Sequence, residues 1–96
     1  MSSGRSRSHH GLAYVYRIRS IADPARDYIG VTRNVKARLS LHNSGKVEET
    51  QDAAPWELEF YAAFPSRHRA KSFAHFLKTE SGQVFGRHHL WEDRSL

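Results

Sequence analysis

Ninety-six residues are enough for one modest hydrophobic core and leave no room for a catalytic domain beside a separate recognition domain. Fifteen Lys and Arg against ten Asp and Glu give a formal charge of +5 and a pI near 10.0, which favours a polyanionic partner. The lack of cysteine excludes a disulfide framework and a thiolate zinc site, and no apolar run is long enough to span a bilayer or serve as a signal peptide, so the expected compartment is the cytoplasm.

After Met1, the first eleven residues are Ser, Arg, Gly and His without apolar periodicity; 1–11 are expected to be a flexible basic tail, followed by one domain over 12–91 and a frayed end over 92–96. From Ala13 to Arg19 the chain alternates, with Tyr14, Tyr16 and Ile18 on one face and Val15, Arg17 and Arg19 on the other, which predicts a strand. Asp23-Pro24 marks a turn, and Asp27 to Thr32 reads as a second strand running back along the first. Gly30 inside that strand implies close approach by a ligand or a neighbouring element, or a bulge.

Asn34 is a helix N-cap and Gly45 a terminator, so the spacing predicts a helix between them with Val35 and Leu39 inward and Ala37 and Leu41 as further candidates for that side. Lys46 to Pro55 reads as a polar loop. Trp56 to Ala62 alternates again, with Trp56, Leu58, Phe60 and Ala62 inward and Glu57, Glu59 and Tyr61 outward. Ser66 caps a further helix with Ala70, Phe73, Phe76 and Leu77 as its core stripe, Ser81-Gly82 ends it, and Val84 to Trp91 forms a short helical region. The expected class is α/β, a small sheet covered by helices.

The least ordinary side chains converge near Tyr28-Ile29-Gly30. Arg38 and His42 stand four residues apart, one helical face, and the hairpin sets the strand bearing Tyr14 and Tyr16 beside the strand bearing Tyr28. A phenol, a guanidinium and an imidazole sharing one pocket suit a phosphodiester. A tyrosine base needs its anion supported by a cation, a metal or a second phenol, since a free phenol titrates near ~10.

The ordered set Tyr14-Val15-Tyr16, Tyr28-Ile29-Gly30-Val31-Thr32, Arg38-Leu39, His42-Asn43-Ser44-Gly45, Pro55-Trp56-Glu57-Leu58, Phe64-Pro65-Ser66-Arg67, Leu77-Lys78, Ser81-Gly82 and His89-Leu90-Trp91 resembles the GIY-YIG nuclease superfamily. The similarity is to its small stand-alone bacterial members, related to the N-terminal nuclease domain of the excision-repair incision subunit. The resemblance implies a three-stranded antiparallel sheet flanked by helices and a hydrolytic endonuclease using one divalent ion, Mg²⁺ or Mn²⁺. It implies that Tyr16 and Tyr28 line the site, either being the general base, that Arg38 contacts the scissile phosphate, and that His42 supports the tyrosines or the nucleophile. It also places Ala74 where similar proteins carry the glutamate that binds the metal. That alanine is read as a deliberate Glu→Ala change in preference to a natural loss, because the rest of the set is retained.

Arg33, Lys36, Lys46, Arg67, Lys71, Lys78 and Arg87 are the expected nucleic-acid contacts. Single-stranded or branched DNA ranks above duplex, because unstacked bases could lie on Tyr61, Trp56 or Trp91; RNA is a second candidate polymer. The alternatives to an endonuclease are a non-catalytic nucleic-acid binding module on a nuclease fold and a protein-interaction domain.

Overall fold

The computed structural model describes residues 12–92; the tail expected over 1–11, and all but Glu92 of the end expected over 92–96, lie outside them. Three antiparallel strands, β1 (Ala13–Ser20), β2 (Asp27–Thr32) and β3 (Trp56–Phe64), form a sheet in the order β2-β1-β3. Helix α1 (Val35–Asn43) covers one face, and helices α2 (Arg67–Leu77) and α3 (Glu80–His89) cover the other. This is the three-stranded antiparallel α/β arrangement expected from the sequence.

As the central strand, β1 is buried on both faces. Ala13 and Val15 join Ile29, Ala70, Ala74, Leu77 and Trp91 on the α2–α3 side, while Tyr16 and Ile18 join Ala53 and Trp56 on the α1 side. Arg17 and Arg19 are buried with them on the α2–α3 side. Both pair with Glu59, Arg17 also reaches Asp27 at 3.1 Å, and its guanidinium lies 4.1 Å from the centre of a Trp91 ring.

That pairing depends on an irregularity that periodicity did not reveal. Arg17 stands opposite Phe60 but Ile18 stands opposite Leu58, so Glu59 is the extra residue of a β-bulge. The expected single inward face of β3 is thereby split. Trp56 and Leu58 face α1, whereas Phe60, Ala62 and Phe64 face α2 and α3, and Glu59 turns inward to the arginines.

Three further expectations are corrected. The predicted loop 46–55 contains a 3₁₀ helix, Glu48–Ala53, held by Trp56 Nε1 donating to Thr50 O at 3.1 Å. Phe76 is 37% exposed and lies outside the buried cluster; Ala74 takes the place beside Ala70 and Leu77. Ser81-Gly82 opens α3 and does not end α2: Thr79 accepts from Gly82 N–H at 3.0 Å, and a Cβ on Gly82 would fall 1.9 Å from Phe76 O. Only glycine lets the two helices meet so closely.

Candidate active site

The α1 face of the sheet gathers the polar cluster. Asn34 caps α1 by accepting from Ala37 N–H at 3.0 Å, and Gly45 ends it at φ +76°, the left-handed conformation that glycine adopts without cost. Between these stops the inward side is Val35, Arg38, Leu39 and His42; Ala37 and Leu41 point to solvent, contrary to the expected stripe. The inward side of this helix therefore carries a guanidinium and an imidazole instead of a continuous apolar seam.

Gly30 lies directly across from Tyr16 in a regular ladder, and a Cβ on it would stand 2.6 Å from the Tyr16 hydroxyl. The close approach foreseen at this glycine is thus a neighbouring side chain. Tyr16 swings over the glycine, and its hydroxyl meets His42 Nε2 at 2.7 Å and accepts from Arg38 Nε at 3.4 Å. His42 Nδ1 faces Thr50 Oγ1 at 2.7 Å, and that hydroxyl itself donates to Val47 O. Nδ1 therefore carries the ring proton and Nε2 accepts from the phenol.

The electrostatics agree with that assignment. Burial raises the Tyr16 phenol above its ordinary value against the lowering hydrogen bond from Arg38, so it stays protonated and donates. Burial, and then the Arg38 charge, lower the His42 imidazole, opposed by Glu49. Hydrogen bonding to Tyr16 raises Arg38 further, and Tyr28 adds to this through charge and a second hydrogen bond. Tyr28 completes the cluster, its ring 5.0 Å from His42 and 6.3 Å from Tyr16. Because Tyr16 and His42 are enclosed and Tyr28 is half-buried, Tyr28 is the phenol that meets solvent.

Titration of His42 should be visible in stability. Its folded pKa lies below the unfolded one, so the unfolded chain binds the proton first and stability falls as pH drops below ~6.5. Urea unfolding of the wild type between neutral and mildly acidic pH is expected to lose more stability than that of His42→Gln. Equal losses would mean that His42 is not held neutral.

The structure brings Tyr16, Tyr28, Arg38 and His42 together. It does not bring Ala74 to them. Ala74 is 5% exposed and packs with Val15 and Ile29, on the side of the sheet away from Tyr16 and Tyr28. Lys78 stands near Tyr28 at the free edge of β2, and Arg33 and Lys36 border a groove beside α1. Lys46 is exposed after α1, while Arg67, Lys71 and Arg87 belong to the helical layer across the sheet. Trp56 and Trp91 are buried, so neither is free to stack on a base; Tyr61 is 56% exposed.

Two contributors went unread in the sequence. Thr50, the partner of His42, and Glu49, whose charge reaches both Tyr16 and His42, sit in the polar stretch where no period marks a face. The pattern Thr50 followed by a proline-introduced strand was the only available signal, and it is a weak one.

Comparison with known proteins follows the same outline. Residues 12–87 match the family model described as the GIY-YIG catalytic domain. The chain is also similar to the "UPF0213 protein in ldhD 5'region" of Pediococcus acidilactici, with 37% identity over 57 residues, 56% of this chain and 58% of that protein. The chain thus spans little more than half the length of this relative.

Proposed function

The chain belongs to the GIY-YIG family, and from that membership we propose that it is an endonuclease-type phosphodiester hydrolase acting on single-stranded or branched DNA in the cytoplasm. The observation that carries the reading is the Arg38–Tyr16–His42–Thr50 chain of hydrogen bonds with Tyr28 at its solvent side. Tyr28 would orient the attacking water. Tyr16, protonated and donating to His42 Nε2, would hold Arg38 in place through the hydrogen bond its hydroxyl accepts from Nε, and Arg38 would offer charge to the phosphate during attack. No helix among the described residues is long and apolar enough to cross a membrane.

Nucleases of this family generally use a divalent metal ion. The described residues do not fit one at the position that the family resemblance assigns: Ala74 supplies only a methyl group, and no three His, Asp or Glu side chains converge elsewhere among them. β2 is an edge strand, so a carboxylate at 74 would have to pass its free edge, where Lys78 and Gln83 flank Tyr28. We read Ala74 as a replacement that removes the ion's ligand, leaving the phenol, imidazole and guanidinium in place.

The test compares this chain with Ala74→Glu on labelled single-stranded and flap DNA in Mg²⁺ or Mn²⁺. Enlarging a buried alanine is expected to cost about 1–3 kcal/mol, checked by thermal melting, and the folded variant is expected to gain metal-dependent cleavage. A folded Ala74→Glu protein that binds DNA and cuts no substrate would instead establish a binding module. That rival is favoured by the burial of Ala74 in an apolar cluster.

A further inference from the structure

Beside the catalytic cluster lies a groove of about 540 Å³ between α1 and the β1–β3 ladder. That volume is within the ~300–1,000 Å³ usual for small-ligand sites. Its floor and walls are Tyr14, Tyr61, Leu58 and Leu39, and Arg33 and Lys36 stand at its border. The family match and the hydrogen-bonded cluster do not account for it, because neither Tyr14 nor Tyr61 bonds Tyr16, Arg38 or His42 in the arrangement described above.

Three features define what would occupy it. Tyr61 leaves more than half its surface open, and its ring centre is 6.2 Å from that of Tyr14 at 54°, so two tilted aromatic faces are presented at one place. The neighbouring charges are cationic, which complements a phosphate next to a flat apolar group. Finally, the groove lies next to the cluster. Tyr61 pairs directly with Tyr16 across the ladder, and Leu39 adjoins Arg38 in α1.

We propose that this groove is a base-stacking subsite for a single-stranded nucleotide flanking the phosphate held at Arg38, with Tyr61 and Tyr14 against the base and Arg33 and Lys36 on the adjoining phosphate. The inference rests on the nuclease reading and adds the residues that would favour a single strand. A paired base has both faces covered by its neighbours in the stack, whereas an unstacked base offers a face to an aromatic ring irrespective of sequence. The groove thereby selects single strands or frayed junctions over intact duplex.

Fluorescence anisotropy of a labelled mixed-sequence single strand and of its duplex, at one fixed salt concentration, tests this with the full chain. Tyr61→Ala is expected to weaken single-strand binding roughly tenfold while duplex affinity stays within about twofold, and Tyr61→Phe, which keeps the ring, should bind like the wild type. Arg33→Ala should lessen the salt dependence of single-strand binding, which Tyr61→Ala should leave unchanged. Unchanged single-strand affinity in Tyr61→Ala, or equal losses on both DNA forms, overturns the subsite alone. Wild-type protein that binds neither form overturns the nuclease reading together with it.

Discussion

Glu59→Leu is expected to destabilise the protein by roughly 3–5 kcal/mol, the usual range when one partner of a buried ion pair is removed. Glu59 has a side chain only 5% exposed, and it is the shared carboxylate of Arg17 and Arg19 on the central strand. Leucine there would leave Arg17 with Asp27 at 3.1 Å, itself partly solvated, and with the Trp91 ring at 4.1 Å. Neither replaces a buried anion. In a domain of this size each kcal/mol lowers Tm by about 4–8 °C, so differential scanning calorimetry would register the change plainly. The companion variant Arg17→Met/Glu59→Leu should lose less than Glu59→Leu alone, because it leaves one buried guanidinium, that of Arg19, without the shared carboxylate instead of two. A double variant as unstable as the single one would mean that Glu59 acts through the bulge and not through its charge.

Arg38→Ala, made in the Ala74→Glu protein, is expected to lower the single-turnover cleavage rate by about 10²-fold or more, the scale of losing one preorganised donor. Arg38 Nε already donates to the Tyr16 hydroxyl at 3.4 Å, so the substitution removes support from that phenol as well as from the phosphate. DNA affinity should change far less, since Arg33, Lys36, Lys46 and Lys78 remain to release counterions. Arg38→Lys should recover only part of the rate, because an ammonium cannot span a phenol and a phosphate as the planar fork does. Rate and affinity are to be measured on the same oligonucleotide at one salt concentration. A preserved rate with collapsed affinity would make Arg38 a binding residue and move the scissile phosphate elsewhere.

The order of the elements was legible because it is written locally. Asn34 and Gly45 bound α1, Ser66 caps α2 and Asp23-Pro24 turns the chain, each through contacts only a few residues away in sequence. The spacing of Arg38 and His42, and the pairing of the strands that carry Tyr16 and Tyr28, likewise follow from helical and strand periods, whereas the choice of Tyr16 over Tyr14, and of Arg38 and His42 over a solvated helix face, came from the family resemblance.

Other features depend on partners that no local period encodes. A single extra residue, Glu59, moves Phe60 and Ala62 to the opposite face from Trp56 and Leu58, and an alternation rule cannot anticipate where a ladder slips. Thr50 becomes the partner of His42 only because Trp56 ties down the 3₁₀ helix, and Gly82 enters α3 only because α2 passes within contact distance of it. Burial is likewise a property of the assembled layers. The same apolar alphabet places Ala74 in the core, leaves Phe76 partly exposed outside it, buries both tryptophans and opens Tyr61 to the groove. Sequence by itself determined the order and caps of the elements and which side chains share a face where the period is unbroken, as in β1; tertiary structure decided where a ladder slips and which faces are covered, because both depend on a second element whose position is set by long-range packing.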